Sequence, residues 1–283
     1  MILISDIQFV IVLYKCKLQD SITFNSLSTA LKKENHDVRP DLYVYDNSPY
    51  KQDQFLENNN WTITYISDLS NAGLSLAYNL AASHALTLNK KFILLLDQDT
   101  EFPLHSIKTY LDSINDNMHV SLFAPILKIQ NDKIMSPCRY VNKWGKLIDN
   151  ISPGSQSLDN YVPVNSGLCI NLKHYFLAGK YNENVKVDGA DFQFIERFKK
   201  RIGKNFYVLN LMINQDFSLF DTDLNSVLPR FKIFLQDVKN FERENIMDDY
   251  YYGRIALIRT IKLLMQTRKR VVFEYYIKFY LIN

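Results

Sequence analysis

Phe92-Ile93-Leu94-Leu95-Leu96 runs straight into Asp97-Gln98-Asp99-Thr100. A continuous apolar run closed by a polar cluster reads as a strand buried on both faces. Such a strand carries no charge inside, so the two carboxylates at its end fall at the edge of a sheet. Ligands of open α/β sheets bind outside the carboxyl ends of the strands. Carboxylates one residue apart at such an end can hold a hard divalent cation, which in turn can hold phosphates. A polar strand end that only turns the chain has the same spelling.

On the N-terminal side of this strand the chain alternates strands and helices. Ile7 to Val12 is strand-like, and Asp20 to Lys33 has helical spacing with Ile22, Leu27, Ala30 and Leu31 apolar. Asp41 to Tyr45 forms a second strand that ends at the turn cluster Asp46-Asn47-Ser48-Pro49. Thr62 to Ile66 is a third strand, and Leu74 to Leu88 is a helix opened by Asn71-Ala72-Gly73. This alternation implies an α/β fold with a mostly parallel central sheet flanked by helices.

On the C-terminal side, Val120 to Ile129 reads as a strand, and Pro125 inside it suggests an edge or a bulge. Asn131 to Asn160 is polar and rich in turn residues, a hairpin or a mobile loop near the site. Tyr161 to Asn171 is strand-like, Ala190 to Lys200 helical, and Phe206 to Ile213 a last strand. From about Ser226 the pattern is helical with long aliphatic and aromatic faces. The chain is therefore read as an α/β domain over 1–225 and a helical extension over 226–283.

Composition bounds the function. Over 283 residues, 47% are hydrophobic and 22% charged, as in an ordinary globular protein. A net charge of +3 is too weak to argue for nucleic acid. Cys16, Cys138 and Cys169 are odd in number and widely spaced, which fits a reduced, cytoplasmic protein better than a disulfide framework. The stretch Met1 to Leu13 has no basic leader and holds Asp6 and Gln8, so it reads as a buried first strand and not a signal peptide. No stretch reaches the ~18 uninterrupted apolar residues of a membrane span.

Several motifs stand in a fixed order: Asp46-Asn47-Ser48, Asn71-Ala72-Gly73 with Asn79, Asp97-Gln98-Asp99-Thr100, Asn165-Ser166-Gly167, Gly179 with Tyr181, Asp188-Gly189-Ala190-Asp191-Phe192-Gln193 with Arg197, and Tyr250-Tyr251-Tyr252-Gly253-Arg254. The succession resembles the inverting glycosyltransferases of family 2, which have the GT-A fold, and within them the bacterial rhamnosyltransferase-like branch. The resemblance covers roughly residues 7 to 260.

It implies transfer of a sugar from a nucleotide-diphosphate donor, dTDP-rhamnose or a UDP-hexose, to a hydroxyl of a glycan or undecaprenyl-linked acceptor in bacterial surface polysaccharide synthesis. It also implies roles. Asp46 would bind the base or ribose, a carboxylate being suited to an imide N–H or a sugar hydroxyl. Asn71 and Gly73 would let backbone N–H groups approach the nucleotide. Asp97 would lie near the ribose or metal, Asp99 would coordinate Mg²⁺ or Mn²⁺, and Ser166 would lie beneath the donor sugar. Asp191 resembles the catalytic base and Asp188 a neighbour that binds donor or acceptor, although the two roles could be exchanged.

Each residue also has a plain structural reading. Asp46 could cap a turn, and Asp188 or Asp191 could cap a helix. Arg197 could pair with Asp188 or Asp191, or stand on a solvated helix face. The chain departs from the pattern where a metal-binding His is common, since Asn214 stands there with Asp216 as a substitute. It departs again at Gln193, where Glu is usual, and after Arg254. The basic, aromatic C-terminal segment with Arg268-Lys269-Arg270 can lie on an anionic membrane surface or pack on the catalytic domain. Two other functions fit less of the sequence. A nucleotidyltransferase would want a Gly-rich loop where Tyr14-Lys15-Cys16-Lys17 stands, and a degenerate scaffold is supported only by Asn214 and Gln193.

Overall fold

The computed structural model describes residues 1–34, 38–54, 58–129, 132–215 and 224–282. Asn131 and Asp216 lie outside them. The N-terminal half follows the expected alternation: β1 (Ile7–Leu13), α1 (Ile22–Glu34), β2 (Asp41–Asp46), β3 (Thr62–Ser67), α2 (Leu74–Thr87) and β4 (Phe92–Leu96). Then come α3 (Ser106–Asp116), β5 (Leu122–Lys128), β6 (Ile134–Val141), β7 (Trp144–Ile148), β8 (Gly154–Ser157), β9 (Leu168–Asn171) and α4 (Leu172–Leu177). The chain continues with α5 (Ala190–Arg201), β10 (Asn205–Asn214), α6 (Leu224–Asn240), α7 (Ile246–Thr267) and α8 (Val271–Tyr276).

The sheet runs in the order β3-β2-β1-β4-β9-β5-β10-β8, with the β6–β7 hairpin attached to β5. The pairs β3–β2, β2–β1, β1–β4 and β5–β10 are parallel. β9 runs against β4 and β5, and β8 against β10. The strands of this path are therefore mostly parallel.

The apolar runs of β1 and β4 are explained by helices on both faces. Phe9, Ile11, Leu13, Leu94 and Leu96 face one core with Leu27 of α1 and Ile107 of α3. Val10, Val12, Ile93 and Leu95 face the other with α2, α5 and the C-terminal helices. Successive side chains of a strand point to opposite faces, so one apolar run serves two cores. On α2 the neighbours are Ala77, Ala81, Ala82 and Ala85, all fully buried. Their small side chains let the helix pack closely on the sheet.

Three expectations are sharpened or corrected. β5 is not an edge strand, since it lies between β9 and β10. Pro125 does mark a bulge: the β10 register jumps from Val208↔Ala124 to Met212↔Ile126 around it, where a residue without an N–H cannot continue the ladder. The segment from Tyr161 is mostly not strand. It makes one bridge, Val162 to Cys138, and β9 starts only at Leu168. The polar stretch after residue 131 resolves into the β6–β7 hairpin and β8, with Asn142 and Lys143 at positive φ in the hairpin turn.

Candidate active site

Asp97 and Asp99 follow β4 at the carboxyl edge of the sheet, and α1 holds their loop. Ser21 Oγ donates to the Gln98 carbonyl at 2.7 Å. The buried hydroxyl of Thr23 donates to the carbonyls of Asp97 at 2.5 Å and Thr100 at 2.9 Å. These bonds satisfy the backbone of the loop that carries the two carboxylates. Asp97 is half-buried and Asp99 exposed at the rim. Burial and the charge of Asp99 push Asp97 up to about 6, against hydrogen bonds from Ser166 and Gln215 and the charge of Arg230.

Asp46 ends β2, fully buried. It accepts from the Ser48 N–H at 2.9 Å, from Tyr65 Oη at 2.7 Å and from Gln52 Nε2 at 3.1 Å. Burial raises its pKa, but these hydrogen bonds outweigh it and hold the carboxyl below its ordinary value. The Ser48 bond is the turn contact expected of a capping Asp; the side-chain bonds exceed it.

Asn71 and Gly73 lead into α2. Gly73 has φ +103°, and a Cβ there would lie 2.5 Å from the Lys186 carbonyl oxygen. The Leu74 N–H donates to that oxygen at 2.6 Å, and Lys186 Nζ donates to the Asn71 carbonyl at 3.3 Å. The loop before α2 is thus sewn to the loop before α5. Asn79 is structural: its amide bridges the Tyr181 carbonyl at 3.0 Å and Glu183 at 2.9 Å, and its oxygen accepts from Tyr175 Oη at 2.6 Å.

The loop before α5 carries Asp188 and Asp191. Neither caps the helix, because Gly189 does, at φ +79°. Asp191 Oδ1 accepts the next N–H, that of Phe192, at 2.8 Å. Burial pushes Asp191 up to about 7, and the charges of Asp188 and Asp97 add to the rise. Asp188 stands between two arginines, 3.3 Å from Arg230 and 3.4 Å from Arg259. Ser166 is buried, its hydroxyl 3.0 Å from that of Thr100, and it also donates to Asp97.

The acids lie near enough to feel one another's charge. Cys16 feels the charges of both Asp99 and Asp46, Asp97 feels Asp99, and Asp191 feels Asp97 and Asp188. The open polar cavity of about 440 Å³ lined by Glu183, Arg197 and Glu242 touches none of these five acids.

Two motif residues have structural work. Arg197 is buried and pairs with Glu242 at 2.5 Å and with the Lys180 carbonyl; it reaches neither Asp188 nor Asp191, nor does it lie on a solvated face. Gln193 donates to Tyr252 Oη at 2.8 Å and accepts the Glu242 N–H at 2.7 Å. An amide both donates and accepts there, which an ionised Glu does not.

Asn214 is exposed at the end of β10; the next residue, Gln215, is the one whose amide meets Asp97. Among the described residues its buried Oε1 has no hydrogen-bond partner. No group of three His, Cys, Asp or Glu suited to a metal occurs among the described residues. The oxygen donors Asp97 and Asp99, with the unused amide oxygen of Gln215 nearby, fit a hard cation whose other ligands come from a phosphate substrate.

Sequence reasoning missed two residues. Asp237 of α6 accepts the N–H groups of Lys186, Val187 and Asp188. Tyr78 of α2 has a buried hydroxyl without a hydrogen-bond partner among the described residues, and it feels the charges of Asp97 and Asp191. Neither carries a local signal, since each is one polar residue in an apolar helix face.

The class that this sheet and its helices define is the GT-A fold of glycosyltransferases. Among solved structures, the chain is similar to GalNAc-T7 determined with UDP, GalNAc and Mn²⁺, at 11% identity and a TM-score of 0.56, covering 95% of this chain and 55% of that one. It is also similar to S. aureus TarS in complex with UDP-GlcNAc, at 12% identity and a TM-score of 0.50, covering 98% of this chain and 74% of that one. A longer S. aureus TarS structure is matched over 43% of its length, at 13% identity and a TM-score of 0.50. No family model matches the sequence, and no curated protein matches it.

Proposed function

We propose that this protein transfers a sugar from a nucleotide-diphosphate donor to a hydroxyl acceptor with inversion at the anomeric carbon, as a family 2 enzyme of the rhamnosyltransferase-like branch. The observation that carries the reading is the placing of Asp191 in the first turn of α5, near enough to the strand-end Asp97 to feel its charge, with its carboxyl raised to about 7. A base with a pKa near the working pH takes a proton most effectively. The UDP and UDP-GlcNAc of the similar structures support a nucleotide sugar as donor.

In this mechanism Asp191 accepts the proton of the acceptor hydroxyl as its oxygen bonds to the anomeric carbon. The bond from that carbon to the diphosphate oxygen breaks in the same step, and the electron pair leaves with the nucleotide diphosphate. Asp46 receives the base or ribose, and Asn71 and Gly73 flank the nucleotide. Ser166 lies beneath the donor sugar, and Asp188 contacts it. Asp99, with Asp97 and the amide side chains at the end of β10, Asn214 and Gln215, would hold Mg²⁺ or Mn²⁺. Such an ion neutralises charge on the leaving diphosphate. The donor is dTDP-rhamnose or a UDP-hexose, and the acceptor a glycan or undecaprenyl-linked oligosaccharide. The catalytic unit is 1–225, and the extension 226–283 contacts the membrane surface with the basic residues after Thr267. No helix among the described residues is long and apolar enough to cross a membrane.

The test is incubation with UDP-hexoses and dTDP-rhamnose plus Mn²⁺, with release of UDP or dTDP as readout and NMR of the product for its anomeric configuration. A thermal shift with nucleotide and no turnover of any donor would mark a binding scaffold instead.

A further inference from the structure

Two cations reach Asp188 from the C-terminal helices. Arg230 Nη2 lies 3.3 Å from Asp188 Oδ1, and Arg259 Nη1 lies 3.4 Å from Oδ2. The two arginines are held differently. Arg259 lies over the Phe234 ring, 4.0 Å from its centroid, with 32% of its side chain exposed. The Arg230 side chain is 59% exposed, and its ion pair with Asp188 lies open to solvent. Its charge also registers at Asp97, so it lies within electrostatic reach of the strand-end acids while paired with Asp188. Exposed ion pairs contribute little, so exchanging this one costs little. A guanidinium keeps its charge, and its donors match phosphate oxygens.

We propose that Arg230 is a second anchor for the donor diphosphate, paired with Asp188 in this structure and turning to a phosphate oxygen when the nucleotide binds beside Asp97 and Asp99. The inference rests on the nucleotide-sugar reading. In that role Arg230 adds positive charge from the C-terminal extension at a site where the sequence has no metal-binding His. Arg259, stacked on Phe234, stays with Asp188 and keeps that carboxylate in place when Arg230 leaves it.

The experiment is calorimetric titration of the full chain with UDP, dTDP, uridine and thymidine in Mg²⁺, for the wild type, Arg230→Gln, Arg230→Lys, Asp188→Asn and the double variant Asp188→Asn with Arg230→Gln. Arg230→Gln should weaken the diphosphates about tenfold and leave the nucleosides unchanged, with Arg230→Lys between. Asp188→Asn should tighten diphosphate binding, and that gain should shrink in the Arg230→Gln background. Unchanged diphosphate affinity in Arg230→Gln, equal loss for diphosphates and nucleosides, or strict additivity of the two substitutions would overturn the role of Arg230 alone. A wild type that binds neither UDP nor dTDP would overturn the nucleotide-sugar reading and the anchor with it.

Discussion

The Asp237 carboxylate accepts the main-chain N–H of Asp188 at 3.0 Å, and with the same two oxygens those of Lys186 at 2.7 Å and Val187 at 3.0 Å. A helix near the end of the chain therefore fixes the loop that presents Asp188 and Asp191. Arg230 and Asp237 are seven residues apart on α6, two turns, and so share the side of the helix that meets this loop, Asp237 buried and Arg230 at the rim.

Asp237→Ala should strand three N–H groups and loosen that loop. The expected cost is about 1–3 kcal/mol of stability, with a larger loss of kcat than of nucleotide affinity. Urea denaturation and transfer kinetics check this; equal losses in both kinetic quantities would contradict it.

Asp191→Asn should leave folding and UDP binding intact and abolish transfer. In the wild type the rate should rise with pH and level off above about 7, where Asp191 is ionised. Activity retained in Asp191→Asn would move the base elsewhere, with Asp188 the first candidate.

Asp99→Ala should leave folding intact and abolish transfer. The binding of Mn²⁺ in the presence of UDP, followed by electron paramagnetic resonance, should weaken in parallel. Chelation of divalent ions should stop the wild-type reaction, and added Mn²⁺ should restore it.

Stability should depend on pH in two opposed windows. Asp97 and Asp237 at about 6 and Asp191 at about 7 are raised above the ordinary 3.8. Their contribution is full below about 3.8 and is lost as pH rises to about 7. Asp46 is lowered, and Asp68 is lowered to about 2, so their contribution is present above 3.8 and lost as pH falls. The melting temperature should therefore peak at mildly acidic pH. Asp191→Asn should flatten the decline toward neutral pH, and thermal unfolding from pH 3 to 8 measures both.

Gly73→Ala should be poorly tolerated. Positive φ costs about 1–3 kcal/mol for a residue with a side chain, and the new Cβ would collide with the Lys186 carbonyl. Wild-type stability in this variant, by urea denaturation, would show that the two loops can part without loss.

What could be read from the sequence is what local pattern controls. The apolar run of β4 announced a strand buried on both faces, and Asp97 and Asp99 were placed at its carboxyl end by that alone. Hydrophobic period likewise gave β1, β2, α2, α5 and β10, because burial imposes it on neighbouring residues. α3 was missed although its Ile107, Tyr110 and Ile114 keep helical spacing. Only the tertiary structure decided that Arg197 serves Glu242, that Gln193 serves Tyr252, and that Asp237 and Arg230 reach the loop before α5. Those partners lie between 42 and 59 residues apart. A contact of that range is set by how helices pack on the sheet, which no stretch of the chain encodes within itself.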